Sequence, residues 1–248
     1  MSITIVIPLI LGWAASLLVN YLADVLPATR RFSTPICNQC AAKYAWTDYL
    51  LLKGCATCDH PRGWRMWITQ FLGLLSTLYI WLSPPKGLGF WLGFILLIYL
   101  AVVFVIDVEH RLVLHPTSYF GAILGLLIGI KLHGIFPTLL GGVLGFGIMF
   151  GLYYLGIIFA RRISRRRGDT VIEEGDALGF GDVNLAGIFG FMLGANLIWI
   201  GILFAILAGG VTSLIYIFGM LLLKRYEAYA AIPYAPFLIF SVLFFLYF

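Results

Sequence analysis

The chain reads as long apolar stretches set off by short polar or proline-bearing breaks. A membrane-crossing helix needs about 20 apolar residues at about 1.5 Å each. Read with that window, eight stretches stand out: residues 3–26, 67–82, 88–106, 118–132, 134–160, 178–194, 196–223 and 231–247. The fourth and sixth, short and Gly-rich, have the least margin. The predicted fold is all-α and polytopic, with about eight transmembrane helices in a single integral membrane unit over residues 1–248. The first stretch contains Pro8, Asn20 and Asp24 and has no basic segment before it, so it reads as a retained span and not as a cleaved signal.

Composition supports that reading. Apolar residues make up 62% of the chain and charged residues 11%, with a mean hydropathy of +1.00. An average soluble protein is about half apolar and about a quarter charged, so a soluble globular domain is excluded. The net charge of +5 and pI of about 9.1 would suggest nucleic acid as a partner for a soluble domain. Topology accounts for it instead. With the N-terminus outside and eight crossings, all of the 16 basic residues except Lys86 and Lys131 fall on the inner side, as the positive-inside rule requires. Nucleic acid is not an expected partner, whereas membrane lipid is.

Two inside segments are long enough to carry chemistry, residues 27–66 and 161–182. The second runs from a basic half, Arg161 to Arg167, into an acidic half with Asp169, Glu173, Glu174 and Asp176. The first contains Cys37-Asn38-Gln39-Cys40 and, after 14 residues, Cys55-Ala56-Thr57-Cys58. Two Cys-x-x-Cys knuckles can offer four thiolates to a tetrahedral Zn²⁺ and leave it no open position, so the predicted site is structural. The alternatives are two disulfides or free thiols. A cytoplasmic loop keeps thiols reduced, and a redox pair needs no twin. A 40-residue polar loop has little core of its own, which a closed metal site would offset.

Carboxylates at a membrane edge are functional candidates by default. Three qualify: Asp24, Asp107 and Asp182. Asp107 follows nearly twenty apolar residues, and its plain alternative is a helix-end carboxylate that meets water beside Arg111. Asp182 follows Gly179-Phe180-Gly181, and its plain alternative is a helix N-cap. A cap does not require glycine at both Gly179 and Gly181, whereas close approach of an extended peptide does. The topology puts Asp107 and Asp182, 75 residues apart, at the same inner face. Two carboxyls sharing a site cannot both ionise easily, which gives one acid and one base, the pair an aspartic protease uses.

At these residues the sequence resembles the bacterial type IV prepilin peptidases, membrane aspartic proteases of the GxGD type. The resemblance rests on Asn20 with Leu26-Pro27, the two cysteine pairs, Ile106-Asp107, Gly179-Phe180-Gly181-Asp182-Val183, and Ile232-Pro233-Tyr234-Ala235-Pro236-Phe237. It implies residence in the bacterial inner membrane and removal of the basic leader from prepilins or pseudopilins, with Asp107 and Asp182 as the catalytic aspartates. It also implies, for many members, N-methylation of the new terminus with S-adenosylmethionine. Three positions depart from the family pattern. Pro116 stands nine residues after Asp107, behind His115; Asn184 replaces a lysine; and Gln70 replaces an acidic residue associated with methyl transfer. The last departure predicts weak or missing methylation.

Other features keep two readings each. Asn20 and Asp24, one helical turn apart, either bind substrate or satisfy each other. His110 and His115 flank Asp107 and are assigned no role. The acidic residues Glu173, Glu174 and Asp176 either hold the basic leader before Asp182 or form a solvated loop. The competing functional class is a proton-coupled transporter, which would place its carboxylates at mid-membrane within an internal repeat. No repeat is visible here.

Overall fold

A computed structural model describes residues 2–37, 39–167, 179–222 and 233–248. Among these the protein is helical, with one isolated bridge, Ile36 to Lys43, in place of a sheet. The helices are α1 (Ser2–Thr29), α2 (Trp46–Leu50), α3 (Trp64–Leu82), α4 (Gly89–His110), α5 (His115–His133), α6 (Ile135–Arg167), α7 (Phe180–Leu222) and α8 (Ala235–Tyr247). Where described, each of the eight apolar stretches falls mainly on helix. Among the described residues, four helices are long and apolar enough to cross a membrane: Ile5–Thr29, Gly89–His110, Ile135–Phe159 and Phe180–Leu222. The sixth and seventh expected spans both lie on α7, and the boundary expected between them coincides with Gly194. Its φ of 71° and ψ of 172° break the helix there. A positive φ of this kind is open to glycine and strained for most other residues.

The chain divides into two compact units, Met1–Leu114 and His115–Phe248. In the first, α1 packs on α3 and α4. Val19, Ala23 and Leu26 of α1 meet Val102, Val105 and Ile106 of α4 in one buried cluster that also takes in Leu114. The segment between α1 and α3 has a small core of its own, contrary to the expectation from its polarity. Tyr49 of α2, Leu52 and Met66 are buried together, with Leu17 and Tyr21 of α1 packed against them.

In the second unit α7 is central, with α5, α6 and α8 against it. Lipid tails are as apolar as leucine, so helices in a membrane associate through close van der Waals packing, which favours small residues at the contact. The α6/α7 face follows that rule. A Cβ on Gly141 would strike the Gly190 carbonyl, one on Gly190 would strike the Gly141 carbonyl, and one on Gly145 would strike the Ala186 carbonyl. The far side of α6 carries exposed Leu139, Val143 and Tyr154, as a lipid-facing surface would.

Candidate active site and four-cysteine centre

The two cysteine knuckles are near copies of one another. In each, the first Cys donates its backbone N–H to a carbonyl five residues on: Cys37 to Ala42 at 2.8 Å and Cys55 to His60 at 3.0 Å. The residue after each second Cys turns left-handed, Ala41 at φ 56° and Asp59 at φ 53°. Both then donate back to the first Cys carbonyl, at 2.9 Å. The turns bring all four Sγ atoms within 4.8 Å of one another. Cys37 and Cys58 are 3.7 Å apart and Cys40 and Cys55 3.6 Å, so no disulfide joins them. Thiolates at about 2.3 Å from a tetrahedral zinc stand roughly 3.8 Å from each other, and the cluster fits that spacing.

The electrostatics agree. Backbone N–H groups of Cys40 and Gln39 directed at Cys37 lower its thiol to about 6. Cys58 is also lowered by the backbone N–H of His60, but its Cys40 neighbour and burial raise it more, to about 12. Four thiolates cannot coexist at this distance without a cation among them. Cys37, Cys40, Cys55 and Cys58 are therefore suited to hold a metal such as zinc, which would cross-link the loop.

Behind the cysteines, Arg62 ties the loop together. Its guanidinium lies over the rings of Tyr44 and Tyr49, 3.9 and 4.4 Å from the centroids, and its Nε donates to the Lys53 carbonyl at 3.0 Å. Burial raises the Tyr44 phenol to about 12, so the ring stays neutral beneath the cation.

Asp24 is held from outside its own helix. The Tyr49 hydroxyl donates to its Oδ2 at 2.6 Å, and Arg65 Nη2 donates to Oδ1. The other Arg65 nitrogen, Nη1, reaches Glu109 Oε2 at 2.7 Å. Asn20, fully buried, accepts from the Thr69 hydroxyl at 2.9 Å. Asn20 and Asp24 thus each find partners on other elements, although the sequence offers them as neighbours. A cavity of about 590 Å³ adjoins these groups, lined by Asp24, Arg62, Arg65, Glu109, His60 and His110 among others.

Asp107 occupies the last turn of α4 and is 4% exposed, so it is not a carboxylate turned to water. Arg111 closes the helix at φ 53°, its backbone N–H donating to the Asp107 carbonyl at 2.8 Å. In the second unit α7 begins at Phe180, which puts Asp182 inside the first turn and not at the cap. It is 8% exposed, and its backbone N–H donates to the Gly179 carbonyl at 3.0 Å. A Cβ on Gly179 would stand 3.5 Å from Asp182 Oδ2, so the carboxylate leans toward the face that glycine leaves open. A carboxylate in a first helical turn also faces the positive end of the helix dipole. Glu173, Glu174 and Asp176 lie outside the described residues.

Residues 94–214 match the model of the type IV leader peptidase family. This segment belongs to that family. It contains both Asp107 and Asp182, begins after the four cysteines and ends before the Tyr234 motif. No curated protein and no solved structure matches the chain. The match agrees with the family resemblance read from the sequence and lends no support to the transporter reading. What the sequence did not indicate is Arg65, which joins Asp24 to Glu109 across 41 and 44 residues of chain. Charged residues so far apart in sequence, on no common helical face, leave no pattern to read.

Proposed function

We propose that the protein is a membrane aspartic endopeptidase that removes the basic leader from type IV prepilins or pseudopilins at the inner face of a bacterial cytoplasmic membrane. The observation that carries this is the family segment, which contains two aspartates, each buried in a terminal turn of a long apolar helix. In this reading Asp107 and Asp182 share one proton. The ionised carboxyl takes a proton from water as the oxygen attacks the scissile carbonyl, and the protonated one supplies the leaving amine. Gly179 and Gly181 leave room for an extended substrate backbone beside Asp182.

The same reading keeps eight crossings with the N-terminus outside and the four-cysteine loop in the cytoplasm. The charge distribution of the chain supports it. The acidic residues Glu173, Glu174 and Asp176 hold the basic leader, since like charges so close together favour a cation among them. N-methylation with S-adenosylmethionine is at most a weak second activity. Gln70, at the position associated with it, is buried and donates its Nε2 to the Trp13 carbonyl at 3.0 Å, tying α3 to α1.

The test is purified protein with a prepilin, followed by mass spectrometry of the products. The expected cut falls after the Gly that precedes the hydrophobic pilin helix. An intact prepilin, or a cut elsewhere, overturns the proposal.

A further inference from the structure

Tyr49, Asp24, Arg65 and Glu109 belong to four different helices, α2, α1, α3 and α4, and form one continuous polar chain. Arg65 is its joint. A guanidinium presents its donors in a rigid planar fork, so one that grips two carboxylates fixes their relative direction as a flexible ammonium does not. Exposed single ion pairs contribute little. This one differs in that the Arg65 and Asp24 side chains are only 26% and 20% exposed, and the second Asp24 oxygen is already taken by Tyr49. Burial opposes the Arg65 charge, but Asp24 and Glu109 outweigh it and raise its pKa.

The place where this chain meets α4 matters most. Apolar packing of α4 on α1 reaches Val105 and Ile106 and resumes only at Leu114, for Val108, Glu109 and His110 are exposed. Asp107 therefore stands where the packed part of the helix gives way to a turn whose own residues make no apolar contact with that cluster until Leu114. That turn also carries the negative end of the helix dipole together with the Asp107 and Glu109 carboxyls, so a cation is needed to hold it. Arg65 is a full cation in place there, with the Glu109 pair at 2.7 Å two residues beyond Asp107, and His110 Nε2 stands 4.0 Å from the same carboxylate.

We infer that Arg65 is a positioning residue for Asp107. By gripping Glu109 it fixes the last turn of α4, and through Asp24 and Tyr49 it makes the four-cysteine loop part of the support for that carboxylate. The inference rests on the proposed role of Asp107 as a reacting group. A misplacement of about 1 Å at a reacting group costs about 10²-fold in rate. Loss of the grip should therefore lower turnover while leaving substrate binding nearly intact.

The test measures kcat and KM separately for prepilin cleavage by the full chain in detergent, normalised to the folded fraction from thermal melting. Arg65→Gln should lower kcat by about 10- to 100-fold with KM within about twofold of wild type. Arg65→Lys should recover only a minor part of that loss, because the charge returns without the fork. Glu109→Gln should reproduce the Arg65→Gln loss, and the double variant should be no slower than Arg65→Gln, since both act through one bond. If Arg65→Gln does not fold, Glu109→Gln, at a partly exposed side chain, carries the test by itself. Asp107→Asn is assayed alongside. Cleavage retained by Asp107→Asn overturns the reading on which the inference depends. A silent Asp107→Asn with wild-type kcat in Glu109→Gln overturns the inference alone, as does a loss confined to KM.

Discussion

Asp107 closes a helix in the first unit and Asp182 opens one in the second, and their surroundings are built from different materials. Around the end of α4 the scaffold is polar and long-range. Arg65, Asp24 and Tyr49 converge on Glu109 from three other helices, beside a loop organised by cysteines. Behind the start of α7 the scaffold is a bare helix contact in which Gly141, Gly145, Gly187 and Gly190 bring two backbones together. Polar ties can be cut one at a time, and each cut should give a graded loss. A backbone contact has nothing to trim and can only be forced open. The protein thus combines one unit that is adjustable from the four-cysteine loop with one that is stiff by construction.

The largest break in that comparison should come from the stiff side. Gly190→Ala sets a methyl against the Gly141 carbonyl, and overpacking of this kind costs about 1–3 kcal/mol. The α6/α7 contact should loosen, with a lower melting temperature in detergent and cleavage falling with it. Gly147→Ala and Gly151→Ala, where an added Cβ meets nothing within 4 Å, should melt like wild type. Equal melting of all three would show that the close contact is not what holds the unit.

On the adjustable side, the protein prepared anaerobically should contain about one zinc per chain. Cys→Ser at Cys37, Cys40, Cys55 or Cys58 should expose the loop to trypsin at Lys43 and Lys53 while cleavage drops only several-fold. The loop keeps the Tyr49, Leu52 and Met66 core when the metal is lost. Metal analysis finding no zinc would remove this centre from the account. A smaller effect is expected from the acidic stretch. Replacing Glu173, Glu174 and Asp176 with Gln, Gln and Asn should raise KM for a basic leader, most at low salt, and leave kcat nearly unchanged. A triple variant that still prefers the basic leader as wild type does would assign leader recognition elsewhere. Smallest of all is methylation. Incubation with S-adenosylmethionine should leave most mature termini unmethylated by mass spectrometry, and full methylation would show that Gln70 does not limit it.

How much of this was legible in the sequence depends on range. The knuckles were, because a metal site of this type is encoded in spacing within a few residues, and the Sγ cluster follows from Cys-x-x-Cys twice. The place of the break in α7 was, because the sixth and seventh apolar stretches part at residues 194–196. The burial of Asp107 was not. A carboxylate followed by Val-Glu-His-Arg looks solvated until α1 is seen packed over Ile106. The partner of Asp24 was misjudged for a related reason: Asn20 lies one turn away, but Arg65 and Tyr49 approach from segments that only the tertiary fold brings near. Local chemistry can be read from a chain, whereas side chains that meet across 40 residues cannot.

The central claim is that Asp107 and Asp182 act as one unit, and prepilin cleavage by Asp107→Asn, Asp182→Asn and the double variant tests it most directly. Acid and base roles contribute about 10²- to 10⁴-fold each, and groups that act together are not additive. Each single variant should insert into the membrane as wild type does and cleave at under about 1% of its rate, and the double variant should be no slower than the slower single. Cleavage above a few per cent of wild type in either single variant, or a double variant slower by the product of the two single losses, would contradict the account.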